Sequence, residues 1–485
     1  MQPRWQNPPD QGLDFANLLD ETFMPATDIP TDPTRGDGFK AFRVPGFARY
    51  WIGSVASILG QQILSVAMGW ELYEITRSAT VLGLVGLAQV IPILGLALWS
   101  GALADRYNRR NLVIIAQAMM AISAALVALV SSQVIKVPDW VILQFGNRSI
   151  MALANFLGES EADFHDPRLP LYFGLLFFIG VSRVLNNPSR VAIVPRLVPG
   201  DALTNAVTWN SSAMHIAATV GPAIGAVLVS LCTPSAHQYA VAYLVDMTCA
   251  LIMFFAFWGL PKSVGVPLAK QVPKGAEKGP HSSWLDGLRH VFRERVLIAS
   301  ISLDMLAVLF GGCTALLPIF AREILHTDVV GYSFMRAAPS IGALAMGFFL
   351  AYRPPRNHVG WTLMVSVVAF GLATLGFGLS KNYALSLLML GLLGAFDNIS
   401  VVIRNTLVQI RTPDELRGRV SAVNGVFIGT SNELGAFESG LTAAMWGPVP
   451  SVVFGGFATI FVVMVVGRIW PELVRLATLE RETKG

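Results

Sequence analysis

One feature constrains this chain more than any other: apolar stretches of membrane-crossing length, each bounded by charge, Pro or Asn, recur along it. They fall at 49–73, 79–102, 111–134, 169–188, 203–230, 238–260, 296–320, 330–352, 359–379, 383–405, 420–444 and 449–471. A bilayer-spanning helix needs about 20 predominantly apolar residues, and backbone inside a bilayer must satisfy its own hydrogen bonds. The expected fold class is therefore an all-α membrane protein with 12 transmembrane helices. Composition agrees, with 53% hydrophobic and 14% charged residues against about 25% charged in an average soluble domain. A soluble enzyme, a disordered chain and a secreted disulfide scaffold are excluded. Cys232, Cys249 and Cys313 lie far apart, without metal-ligand spacing, so neither a disulfide nor a metal site is expected.

An even number of spans puts both termini on one side, and the distribution of Lys and Arg decides which. With cytoplasmic termini, 26 of the 35 Lys and Arg lie inside, including Arg106, Arg109, Arg110, Arg190, Arg196, Arg353, Arg356, Arg411, Arg417 and Arg419. Six lie outside, and Arg183, Arg336 and Arg404 lie within spans. Both termini are expected in the cytoplasm. The net charge of +4 thus reads as a topology signal, and nucleic acid is not an expected partner. Residues 1–44, rich in Pro and Asp and without the pattern of a cleaved signal, read as a disordered cytoplasmic tail.

The chain also repeats itself. Arg106 and Arg109 after span two fall on Arg353 and Arg356 after span eight at an offset of 247, whereas Leu203 and Val207 fall on Leu416 and Val420 at 213. The drop of 34 residues matches the long loop at 135–168 between spans three and four. The expected organisation is two pseudo-symmetric six-helix bundles, 45–260 and 295–475, with an external insertion at 135–168, a linker at 261–294 and a tail at 476–485. The insertion reads either as a lid over the external mouth or as a loop packed on the bundle rim. In the linker, Trp284, Leu285, Leu288, Val291 and Phe292 recur at helical spacing behind Ser283-x-x-Asp286. This reads either as a short helix at the cytoplasmic membrane surface or as a plain tether between the halves.

Two motifs carry a resemblance. Gly101-x-x-x-Asp105-Arg106-x-x-Arg109-Arg110 resembles motif A of the major facilitator superfamily, whose arginines are expected at the lipid headgroups and whose Asp faces a helix N-terminus. Asn108 stands where the family commonly has Gly, and Tyr352 replaces the Asp in the second half. Gly221-Pro222-x-x-Gly225, with Ala217 and Ala226 in place of flanking glycines, resembles motif C of the superfamily's exporters and antiporters. The Pro bends the helix and the small residues allow close packing. Leu303-Asp304, Arg336-Ala-Ala-Pro339, Val402-Ile-Arg404, Arg417-Gly-Arg419 and Ser431-Asn-Glu433 are similar to the enterobactin-exporter-like, or transmembrane secretion effector, branch. The resemblance covers roughly residues 41–475 and implies the major facilitator fold, with spans one, four, seven and ten lining a central cavity.

Ionisable residues deep in spans are functional candidates by default. Glu433 in span eleven and Asp397 in span ten lie near mid-bilayer, each about 20 Å from its span's start at 1.5 Å per residue. Both are the preferred proton carriers, because low-dielectric surroundings favour the neutral carboxyl. Asp304 and His215 are further proton-coupling candidates, although Asp397 and Arg404, seven apart on one helix face, could instead form a static ion network. Asp246 on span six is assigned to the outer set of helices. Gln61, Gln62, Arg183 and Asn210 are candidate substrate contacts. Arg183 suits an anionic or catecholate ligand or else snorkels to the interface, and Trp70 and Trp209 could stack on a planar one. No Walker P-loop, nucleophile–base pair or metal cluster is legible, so no catalytic residue, enzymatic activity or cofactor is expected.

The expected function is a secondary transporter in a bacterial inner membrane, exporting a small siderophore-like or drug-like molecule by proton antiport and alternating access. Its partners are membrane lipids, the small-molecule substrate and protons, and it is expected to be a monomer. A lipid or lysophospholipid flippase on the same fold, and a non-transporting membrane protein assisting secretion, remain open alternatives.

Overall fold

A computed structural model describes residues 38–134, 140–159, 166–232, 237–266, 284–353 and 358–478. Among them the long helices are α1 (Phe47–Thr76), α2 (Ala79–Arg106), α3 (Arg109–Ser131), α4 (Leu169–Val191), α5 (Gly200–Leu231), α6 (Gln238–Trp258), α7 (Arg295–Gly311), α8 (Val329–Tyr352), α9 (Val359–Leu379), α10 (Tyr383–Arg411), α11 (Asp414–Trp446) and α12 (Pro448–Ile469). Short turns through Ile324, the last of them π-helical, prolong α7. Eleven of these helices are long and apolar enough to cross a membrane. The exception is α11, whose 33 residues include Arg417, Arg419, Asn424, Asn432, Glu433 and Glu438. It lies against α2 and α7, where a polar face need not meet lipid.

Helix starts are set by side-chain caps that satisfy otherwise orphaned N–H groups. Ser78 accepts from Val81 at the head of α2, Asn108 from Arg110 at α3, Asp328 from Gly331 at α8 and Asn382 from Leu385 at α10. The cap at Asn108 explains its place in the motif, and its Nδ2 also donates to the Lys262 carbonyl at 2.9 Å.

The helices pack as a repeated pattern. Within the first half α1 lies against α5 and α6, α3 against α6 and α4, and α2 against α4. In the second half α7 lies against α11 and α12, α9 against α12 and α10, and α8 against α10. The halves meet through the related pairs α2–α11 and α5–α8. Individual residues keep the sequence offsets to within one residue: Gly180 of α4 packs on Pro92 of α2, and Gly394 of α10 packs on Pro339 of α8. The pseudo-twofold also relates Gln89 to Arg336, and Arg183 to Asp397.

Several local expectations change. Arg110, expected at the headgroups, is buried and caps the C-terminus of α6, donating to the carbonyls of Phe257 at 2.9 Å and Trp258 at 2.5 Å. The unpaired carbonyls of that helix end make it a better site for a guanidinium than open solvent. The predicted surface helix exists at Trp284–Arg293, but it packs on α11, with Val291 fully buried and Gly287 against Arg419. Its start at Ser283 lies outside the described residues. A turn at Lys40–Arg43, within the predicted tail, brings Phe42 edge-on to Phe47, Trp51 and Trp209. The insertion forms a helix, Val141–Phe156, packed on α4 and α2.

Candidate transport site

The face bearing the start of α1 and the end of α12 is here the terminal face, and the opposite one the far face. Small residues let α2 and α11 approach closely: Gly83 meets the backbone of Gly440, and Gly86 the carbonyl of Glu433. Both contacts lie from mid-helix towards the far face. Beyond them, Gly95 of α2 and Gly418, Gly425 and Gly429 of α11 have no neighbour within 4 Å at the position of a Cβ. Among the described residues the halves are therefore joined on the far side and parted on the terminal side.

Further contacts tighten the far side. Trp70 stacks on Tyr332 of α8 with ring centroids 5.4 Å apart. The Tyr73 hydroxyl donates to Glu323 in the π-helical turn, a type of irregularity common at functional positions. Arg322 approaches Glu74 at 3.9 Å. Trp70 is thus occupied within the protein and does not offer its face to a ligand in this state.

Where the helices begin to part, Arg183 of α4 joins both halves. Its Nε donates to Gln61 Oε1 at 3.2 Å, and its Nη1 donates to Gln89 Oε1 at 2.5 Å and faces Glu433 Oε1 at 3.4 Å. Of the two readings of Arg183, the snorkelling one fails, because two amides and a carboxylate turn it inward. Arg336 of α8 donates to Ser65 at 2.8 Å, and its charge, like that of Arg183, acts on Glu433. Two cations thus act on one anion, with amides as neutral hydrogen-bonding partners of Arg183. Motif C does its packing nearby: Gly221 lies against Gln62, and Gly225 against the backbone of Ile63.

The other candidates lie apart from this centre. Asp304 is buried in an ion pair with Arg404 and accepts from Ser400 at 3.2 Å. Arg404 therefore pairs across to α7 and leaves Asp397, its neighbour on α10, to line a small cavity with Asp304 and Phe370. His215 is half-buried on α5. Asn210, with Tyr50 donating at 3.5 Å, stands towards the terminal face, as does Trp209 in its aromatic cluster. Gly101, Asp105 and Arg106 belong to α2, but their side chains lie outside the described residues. Arg109 reaches the Ala192 carbonyl at 3.3 Å.

Sequence reasoning missed Glu71. This α1 carboxylate is buried and accepts from Ser131 at 2.6 Å, Tyr172 at 2.8 Å and Tyr243 at 2.6 Å, so one anion ties together α1, α3, α4 and α6. The available signal was an acid three residues before Glu74 near the end of an apolar span. Glu71→Ala leaves three buried hydroxyls without their acceptor and is expected to cost about 3 kcal/mol or more, given roughly 1–3 kcal/mol for each unsatisfied group. Glu71→Gln, which keeps an acceptor, is expected to cost less. Thermal unfolding of the purified protein in detergent measures both.

Comparison with known proteins agrees with this architecture. The Staphyloferrin A transporter of Staphylococcus aureus is 22% identical over 424 residues, covering 86% of this chain and 94% of its own. The Enterobactin exporter EntS of Citrobacter koseri is 24% identical over 432 residues, covering 89% and 93%. Among solved structures, the D-xylose–proton symporter superposes with a TM-score of 0.64 at 14% identity over 88% of this chain and 98% of its own. The inward-open xylose transporter XylE of E. coli gives 0.61 at 12% identity, over 90% and 98%. The family model described as Major Facilitator Superfamily matches residues 50–436. With that match and its two related six-helix halves, the chain belongs to the Major Facilitator Superfamily and is a membrane transporter, not an enzyme.

Proposed function

We propose that the protein exports a small organic anion of the siderophore class across a bacterial inner membrane, by alternating access and in exchange for protons. The observation that carries this reading is the Arg183–Glu433 bridge, flanked by Arg336. It joins the two halves at the level where the open side begins. The Arg183 guanidinium on the carboxylate, with the charge of Arg336 also acting there, leaves a positive excess that favours an anion, and Gln61 and Gln89 add hydrogen-bonding capacity. The terminal face is the cytoplasmic one in this proposal.

The cycle follows from charge balance. An anionic substrate entering from the cytoplasm takes Arg183 and frees Glu433. Opening of the far side exposes the free carboxylate, which binds a proton there as the substrate departs. On the return, Arg183 recovers Glu433 and the proton leaves to the cytoplasm. The net step is substrate out and proton in, with Glu433 as the carrier. Among the remaining proton-coupling candidates, Asp397 faces a cavity of the second half, whereas Asp304 is committed to Arg404.

Everted membrane vesicles energised by respiration test the proposal, with enterobactin, staphyloferrin A and a lysophospholipid as separate probes. A siderophore should accumulate in vesicles carrying the protein above those lacking it, and an uncoupler should abolish the difference. Uncoupler-insensitive accumulation would refute the coupling, and transfer of the lysophospholipid alone would refute the substrate class.

A further inference from the structure

We infer that the external helix Val141–Phe156 is a membrane-surface anchor, lying at the lipid headgroup boundary of the far face with one apolar stripe turned into the acyl chains. The helix has two apolar sides. Leu143 and Ala154 are buried, and Ile150 and Met151 pack on the main core. On the other side Val141, Phe145, Ala152 and Phe156 occur at i, i+4, i+11 and i+15, which is one stripe at helical spacing. Val141 is 81% exposed, Phe145 71% and Phe156 86%, and Ala152 is also exposed. A lid over an aqueous mouth would turn its polar side to water, whereas a helix apolar on two sides requires a second apolar environment.

The contacts of the helix fix its depth. Gly146 lies against Pro170, and Asn147 donates to the Asp166 carbonyl at 3.0 Å. The middle of the helix therefore sits beside the first turn of α4, where an apolar span meets the headgroups. The far-face end of α3 is likewise exposed and apolar, at Leu126 and Leu129. Trp140, 59% exposed at the helix start, is of the type enriched at membrane interfaces. Arg148 is the only charged residue of the helix, and it stands at the edge of the stripe, where a guanidinium can meet lipid phosphate.

The anchor has a mechanical link to the transport helices. Just past its end, Glu159 accepts from the Ser78 hydroxyl and from the Ala79 backbone N–H at 2.7 Å. This carboxylate caps α2, the helix that meets α11 at the junction of the halves. The anchor thereby holds the far end of α2 at a fixed depth in the membrane.

Spin labels at 141, 145 and 156, introduced one at a time with Cys232, Cys249 and Cys313 replaced, test this in phosphatidylethanolamine–phosphatidylglycerol liposomes by power saturation. Collisions with oxygen should exceed those with a water-soluble nickel chelate several-fold at all three positions. Dominant nickel collisions would place the stripe in water. Shielding from both reagents would place it against a second copy or another protein. Either result overturns the inference. A second measurement needs no cysteine replacement: brominated lipids should quench an emission component that Trp140→Phe removes, and an unchanged quenching profile counts against the anchor. Neither readout depends on what the protein transports.

Discussion

Glu433→Gln is expected to abolish accumulation driven by a pH gradient, by at least about tenfold, while substrate exchange between equal concentrations on the two sides persists. The amide can still lie beside Arg183 but cannot carry a proton, so the exchange limb, in which substrate crosses in both directions, survives. The empty return can also occur, because the amide is neutral like a protonated carboxyl, but it brings no proton with it, so the gradient no longer drives accumulation. A tenfold loss corresponds to about 1.4 kcal/mol, a modest demand for a group whose charge governs the joining of the halves. Arg183→Gln should lose both activities, because it removes the counter-ion for the substrate as well as for Glu433. Both variants are measured in the same everted vesicles, with counterflow as the second readout. Gradient-driven accumulation at the wild-type level in Glu433→Gln would remove Glu433 from the coupling.

The second large effect concerns stability. Arg404→Met strands the Asp304 carboxylate in a buried position, and breaking one partner of a buried ion pair costs about 3–5 kcal/mol. Asp304→Asn combined with Arg404→Met removes both charges while leaving Ser400 a partner. It should recover most of that loss, because replacing a whole buried pair is often close to neutral. Thermal unfolding in detergent reads the single and the double variant. The double variant should also retain gradient-driven transport, as expected of a pair that fastens α7 to α10. If it folds normally yet fails to couple transport to protons, Asp304 rejoins Glu433 as a carrier.

These expectations show where the sequence was legible. Span positions and the internal repeat were readable because lipid imposes length and apolarity on each helix, and because two related halves keep related loops. The repeat reappears in the packing of Gly180 on Pro92 and of Gly394 on Pro339, with the prolines 247 residues apart and the glycines 214, one more than the 213 read at Leu203 and Leu416. Glu433 stood out by depth alone. Its pairing did not: Arg183 reads as a substrate contact or a snorkelling side chain until Gln61 and Gln89 are seen converging on it from two other helices. Arg404 misled in the same way, since a same-helix spacing to Asp397 says nothing of Asp304 on the facing helix. Glu71 escaped because its three hydroxyl donors come from helices far apart in the chain. Pattern along one helix is local information, whereas the partner of a buried charge is set by which helices the fold brings together.

The meeting of α2 and α11 resembles a pair of shears riveted at Gly86 and Glu433. On one side of the rivet the blades are shut, and on the other they are spread. From Glu433 back to Asp414, the arm of α11 measures roughly 28 Å at 1.5 Å per residue. By that length, a turn of about 10° at the rivet swings the tip by about 5 Å. The carboxylate, sitting at the rivet itself, hardly travels. Large changes in which compartment has access can therefore accompany almost no displacement of the group that is reached.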